Sequence, residues 1–350
     1  MMRRSFTLLF LYASFTLLCS SRCALAQNNS HGGDYERATE EFRAGHYASA
    51  SALFESAEAA SPGATDALLF EGKALVHIQN FAKAEQVLRT YSKRHRDSSD
   101  ALYMLAFVLH RQNQPAESLE TYTRAAGLAP PTGDDLKIIG LNYVLLNDYP
   151  DAVRWLERAV EVDPKNRDVW YYLGRAYYTK ARLPEANKAF LTVLDLHPQD
   201  AKAENNLGLI FETSGQPTAA IDAYKKAIAW QDNVPHPSEQ PYVNLGSLLL
   251  EQGHVDEALV YLEQAVALAP SNAFCHMKLG IAYRQVGRLV DARRELEQAT
   301  QLEPENPTAH YQLGRLYKEL HFLDRARVEF ERTAELQGRA AQPESSIPDR

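Results

Sequence analysis

The chain has 350 residues, with 37 Lys and Arg against 45 Asp and Glu, a formal net charge of −8. Apolar residues at 45% supply ample material for a packed core and exclude a mainly disordered chain. The acidic balance excludes a sequence-blind nucleic-acid binder, which carries a basic surplus, and three Cys cannot by themselves build a disulfide framework or a four-ligand zinc site.

The first element in chain order is an address. Met1-Met2-Arg3-Arg4 is a short basic start, Phe6 to Leu18 is an uncharged apolar run, and Ala24-Leu25-Ala26 reads as a cleavage site. That pattern predicts a signal peptide over 1–26, with the mature chain starting at Gln27. The apolar run is shorter than the roughly 20 residues that span a bilayer, so a membrane enters only through a signal kept as an anchor. Cleavage removes Cys19 and Cys23 and leaves Cys275 alone. An exported chain with one Cys has no internal disulfide and relies on packing. The expected location is the bacterial periplasm, or outside the cell.

From residue 31 the sequence repeats with a period of 34. Six repeats run over 31–234, at 31–64, 65–98, 99–132, 133–166, 167–200 and 201–234. Pro235-His236-Pro237-Ser238 interrupts them, as a hinge or contact loop or as a tolerated insertion, since lengthening a loop costs little. Three more repeats follow over 239–340, and 341–350, with Pro343 and Pro348, is expected to be a disordered tail.

Within a repeat, position 8 is Ala or Gly in all nine copies and position 20 is Ala or Ser. Position 24 is always large, from Phe54 through Tyr122 and Tyr224 to Phe330. Positions 4, 7, 8 and 11 form one stripe of a first helix, and 20, 24 and 27 one stripe of a second. Small residues let the two helices approach closely and the large one fills the adjoining space. Gly45, Gly215, Gly253 and Gly287 at position 15 mark the turn, and Pro at position 32 in six repeats ends the second helix. Such a hairpin cannot bury both faces alone, so neighbours must stack on it.

At these positions the chain resembles the tetratricopeptide repeat family. Repeat 167–200 carries the pattern most fully, with Trp170, Leu173, Gly174, Tyr177, Ala186, Phe190 and Pro198. The resemblance implies an all-α fold, a right-handed superhelical solenoid of antiparallel helix pairs that binds partners, mostly peptides, along a concave face. The ends depart from it: repeat 31–64 has Asp34, Arg37 and Glu41 at apolar positions, as a polar cap or an undocked helix would, and repeat 307–340 lacks the final Pro.

In the family the groove is lined mainly by first-helix positions 2, 5, 9, 12 and 13. Position 2 carries Asp66, Asp100, Asp134 and Asp168 in four consecutive repeats. They read as an acidic rail for a basic or extended partner, or as first-turn acids offsetting the helix dipole. Positions 5 and 9 pair Tyr171 with Arg175, Tyr311 with Arg315, and Tyr103 with Phe107. These are residue types found at binding hot spots, or else i,i+4 contacts that stiffen a helix. Arg284, Arg315 and Lys318 make the C-terminal stretch more basic, enough to orient a peptide. Asn206 and Asn244 stand at position 6 beside Asn205, where some members hold peptide backbone with asparagine; inter-repeat hydrogen bonds are the plainer reading. The lysine and asparagine set of a carboxylate clamp is missing.

No spacing supports catalysis. There is no His-x-x-x-His pair with a neighbouring Glu, no Gly-rich phosphate loop and no G-x-S-x-G. Cys275 and His276 point about 100° apart on a helix, too divergent to share a metal. The expectation is a non-catalytic scaffold without metal or cofactor that binds a protein or peptide in its groove and no nucleic acid. The alternative is an accessory subunit in polysaccharide handling or export, with sugars stacked on Tyr103, Tyr171 or Tyr178.

Overall fold

The computed structural model describes residues 33–341 apart from Asn233. The expected signal peptide at 1–26 and all but the first residue of the expected tail lie outside the described residues. Among the described residues the chain forms eighteen α-helices and no strand. Each 34-residue repeat holds a pair: α1 (33–43) with α2 (Tyr47–Ala60), α3 (Ala67–His77) with α4 (Phe81–Arg94), and α5 (Ser99–Arg111) with α6 (Pro115–Ala126). Next come α7 (Gly133–Leu145) with α8 (Tyr149–Val162), α9 (Arg167–Thr179) with α10 (Leu183–Leu196), and α11 (Ala201–Thr213) with α12 (Pro217–Ala229). The last pairs are α13 (Gln240–Glu251) with α14 (Val255–Leu268), α15 (Ala273–Gln285) with α16 (Leu289–Leu302), and α17 (Pro307–Glu319) with α18 (Leu323–Ala341). No helix among the described residues is long and apolar enough to cross a membrane.

Packing explains the repeated sizes. A Cβ on Gly72 would fall 2.6 Å from Leu88 Cδ2, and one on Gly140 2.7 Å from Leu156 Cγ and 3.3 Å from the Ala152 carbonyl. Position 8 thus faces position 24 and the backbone of position 20, and the space is already taken. Phe54, Leu88, Tyr122, Leu156, Phe190, Tyr224, Leu262 and Leu296 at position 24 are buried to 2% exposure or less.

The turn between paired helices is the same in all nine repeats. Position 15 adopts positive φ whether it is Gly45, Gly215, Gly253 or Gly287, or instead Gln79, Asn113, Asn147, Ala181 or His321. In each, the next N–H bonds back to the carbonyl of position 11, as Asn80 N does to Leu75 O at 2.9 Å. That bond closes the first helix with a left-handed residue and lets position 16 cap the second helix at once. A left-handed residue bearing a Cβ costs about 1–2 kcal/mol, part of which glycine returns through unfolded-chain entropy. Gln79→Gly and Ala181→Gly should therefore each raise stability by about 0.5–1 kcal/mol, read from urea denaturation; the Asn→Gly changes should do less.

Polar groups stitch neighbouring repeats. Ser118, the one position 20 that is not Ala, donates from Oγ to Ala106 O at 2.7 Å and accepts from Asn142 Nδ2 at 2.8 Å. Asn142 Oδ1 accepts in turn from His110 Nδ1 at 2.8 Å. Burial pushes the His110 imidazole below its ordinary pKa. The unfolded chain therefore binds a proton that the folded chain refuses. This contribution to stability is complete above about pH 6.5 and is lost as the pH falls below it. Denaturation midpoints at pH 7.5 and 5.5 should fall less in His110→Gln than in the parent. His276 and His310 at position 4 sit between a carboxylate and a carbonyl: Glu295 (2.7 Å) and Pro270 O (3.0 Å), Glu329 (2.6 Å) and Pro304 O (3.0 Å).

The ends and the interruption depart from a plain array in identifiable ways. Helix α1 is docked: Ala38 is fully buried, Tyr35 and Phe42 pack on Phe54 and Phe70, and Asp34 and Glu41 bond to Arg37 and His46. Helix α18 runs through position 32, where six repeats have Pro, and takes in Ala341, the first residue of the segment expected to be a tail. Around the insertion, buried Gln231 accepts from Ser238 N at 2.5 Å and donates to Ser238 O at 3.4 Å. Two compact halves are distinguished, up to Ala176 and from Tyr177, dividing inside α9 rather than at this insertion. Within each half successive first helices touch: α3, α5 and α7 in one, and α11, α13, α15 and α17 in the other. Within each half they therefore line a shared face.

Candidate functional site

In the N-terminal half, α3, α5 and α7 frame a cavity of about 520 Å³. Its apolar wall is Val76, Met104, Phe107, Tyr122 and Ile138, with Tyr103 beside them. Its polar rim is His77, Asp100, Thr132, Asp134, Asp135 and Lys137. Helical spacing explains the set: Asp100, Tyr103 and Phe107 lie at i, i+3 and i+7, one face of α5. Asp134, Lys137 and Ile138 repeat that face on α7.

The walls are held in place. Tyr103 donates from its hydroxyl to Ala129 O at 2.6 Å, its ring lies 5.9 Å from that of Tyr122, and burial pushes both phenols above their ordinary pKa. His77 stacks on Tyr47 at 3.9 Å. Thr132 and Asp135 form a reciprocal capping box at the start of α7. Asp134 accepts from Lys137 Nζ at 2.7 Å, which holds its carboxyl below the usual carboxylate range, and Asp100 accepts from Lys73 Nζ at 2.5 Å. These two carboxylate side chains remain 73% and 58% exposed. Each has lone pairs beyond the one cation it meets, so the rim can take a further cation while the wall takes an apolar side chain.

The cavity unites Asp100, Asp134 and Tyr103 from the sequence-predicted set and leaves the others outside it. Asp66 precedes α3 and accepts from Tyr91 at 2.5 Å; Asp168 pairs with Arg167 at 2.6 Å. Tyr171 packs edge-on to Tyr172 with Arg167 over its ring, and Arg175 is exposed. Asn205 accepts from Asn244 Nδ2 at 2.9 Å, an inter-repeat bond, while Asn206 donates to Lys202 O within its own helix. Arg284 lies 3.5 Å from Glu319, and Arg315 sits over Tyr311 at 5.9 Å. Lys318 borders a different cavity with Leu323, Arg327 and Phe330. Met104, Ile138 and Lys137 are cavity residues that the sequence did not single out as such, although each occupies position 5 or 6.

Profiles described as tetratricopeptide repeat match residues 41–106, 99–132, 140–181, 168–200, 199–271, 249–300 and 282–320. The chain belongs to the tetratricopeptide repeat family. It is 23% identical over 240 residues to anaphase-promoting complex subunit 3 of Schizosaccharomyces pombe, covering 69% of this chain and 36% of that protein. Over 203 residues it is 24% identical to BBSome complex member BBS4 of Bos taurus, covering 57% and 38%. The chain thus spans little more than a third of the length of these relatives. Among solved structures, the APC/C hetero-tetramer Cut9-Hcn1 is similar with a TM-score of 0.58 at 16% identity, over 77% of this chain and 52% of that one. That likeness is one of fold. In tetratricopeptide terms, the cavity combines positions 12 and 13 of one repeat with 2, 5, 6 and 9 of the next and 2, 5 and 6 of the third.

Proposed function

We propose that this tetratricopeptide repeat chain is an exported interaction scaffold that binds an extended peptide or protein segment along its first helices. The α3–α5–α7 cavity takes a bulky apolar side chain of the partner, and Asp100 and Asp134 take a neighbouring Lys or Arg. The observation that carries this reading is one apolar wall of Met104, Phe107 and Ile138 beneath an exposed carboxylate rim. Buried aromatic anchors flanked by charge are where binding energy concentrates. The relatives named as subunits of larger complexes support an interaction role, and the signal-like start at 1–26 supports export.

Peptide display on the purified chain tests the proposal. Selected peptides should pair an aromatic or Leu with a basic neighbour, and Phe107→Ala should weaken the tightest of them about tenfold or more. Asp100→Asn should weaken it less and flatten its salt dependence. An unselective display, or affinity indifferent to Phe107, contradicts the proposal. So does a parallel glycan array that gives saturable, Phe107-dependent binding where peptides give none. For export, residues 1–26 fused to a reporter active only outside the cytoplasm should switch it on, and an inactive fusion contradicts that part.

A further inference from the structure

A second cavity in the N-terminal half, of about 360 Å³, is walled by Arg89, Ser92, Lys93, Arg96, Leu105 and Arg124. Four cations border one hollow in a chain that carries eight more acids than bases. Arg89 is fixed between Glu85 at 2.8 Å and Glu117 at 2.6 Å. Lys93, Arg96 and Arg124 are exposed and make no ion pair among the described residues. Helix ends explain part of this charge: Lys93 lies in the last turn of α4 and Arg124 in that of α6. Each helix end carries only about half a negative charge, so two ends and the second carboxylate at Arg89 leave a positive surplus. Arg96 lies beyond α4, at the position where six repeats have Pro, and no helix end calls for a cation there.

Ser92 supplies an independent observation. It is 7% exposed, and its hydroxyl is buried with no hydrogen-bond partner among the described residues. Ser118, the buried serine of α6, both donates and accepts. An unbonded buried hydroxyl costs about 1–3 kcal/mol, which an acceptor from outside the chain would offset. An O–H donor among guanidinium and ammonium groups calls for an oxyanion. Several converging cations suit a dianion better than a carboxylate, and arginine's planar fork matches phosphate oxygens two at a time.

We propose that this cavity binds a phosphoryl group, held by Lys93, Arg96 and Arg124 against the fixed guanidinium of Arg89, with a hydrogen bond from Ser92 Oγ. The site is separate from the peptide cavity and stands whether or not that reading holds. Calorimetric titration of the purified chain with inorganic phosphate and with phenyl phosphate, at constant ionic strength set with KCl, tests it. Saturable binding should appear above the chloride background, and Arg96→Gln/Arg124→Gln should weaken it at least tenfold. Ser92→Ala should weaken it severalfold without lowering the thermal midpoint, because it deletes an unbonded hydroxyl; a purely structural serine would lower the midpoint and leave phosphate binding untouched. A flotation arm with phosphatidate vesicles separates the sources. Binding to vesicles alone, lost in the double variant, places the phosphoryl group on a lipid and supports the site. Binding to soluble phosphate supports it equally and places the group on a small molecule. Phosphate no better than chloride together with no vesicle binding, or binding unchanged in the double variant, overturns it.

Discussion

Replacing Tyr224 with Ala should lower the stability of the C-terminal half by about 3–5 kcal/mol, the loss seen when a buried aromatic ring leaves a cavity. Tyr224 is fully buried where α11 meets α12, and its hydroxyl donates to Glu212 Oε2 at 2.7 Å. Tyr224→Phe keeps the ring and loses only that hydrogen bond, so it should cost about 1 kcal/mol. Stacked repeats need not unfold all at once. Hydrogen exchange within α11 and α12 should therefore accompany global urea denaturation, with the fall in protection centred on this pair. Equal losses for the Ala and Phe variants would mean that the ring does not fill the junction.

Gly208→Ala carries the second large effect, and its sign decides between two forces. In an exposed helix, Gly→Ala gains about 1 kcal/mol of helix propensity. At Gly208 the new Cβ would lie 2.4 Å from Tyr224 Cε1 and 2.6 Å from Cδ1. The ring is bonded to Glu212 and enclosed, so α11 and α12 must separate, which costs about 1–3 kcal/mol or more. A net loss is expected, measured as a fall in urea midpoint. Gly338→Ala, whose Cβ would meet nothing within 4 Å in α18, should instead gain stability. Combining Gly208→Ala with Tyr224→Ala should cost less than the two losses added together, since the second change removes what the first collides with.

The fold was legible where a single position carries a single physical demand. Small at 8, small at 20 and large at 24 recur with the period because each is met by side-chain size alone, and the structure brings those positions together. The turn was half legible. Gly45 and Gly215 announce a left-handed residue, but Gln79, Ala181 and His321 adopt the same φ because the closing hydrogen bond imposes it. Ser118 reads in sequence as merely small; its bond to Asn142, 24 residues away, leaves no periodic trace. Likewise Asp100, Tyr103 and Asp134 stand at the expected groove positions, while Met104, Ile138 and Lys137 line the cavity because three successive first helices converge there. The basic cavity was invisible, since its cations occupy unrelated positions in two repeats and only packing assembles them.

The claim that first helices present the binding face is tested most directly by hydrogen exchange on the chain, free and saturated with the tightest displayed peptide. Slowed exchange should be confined to α3, α5 and α7 around residues 76–77, 103–107 and 134–138, and Phe107→Ala should erase it. Protection on α4 and α6 instead, or a footprint that Phe107→Ala leaves in place, would contradict the account.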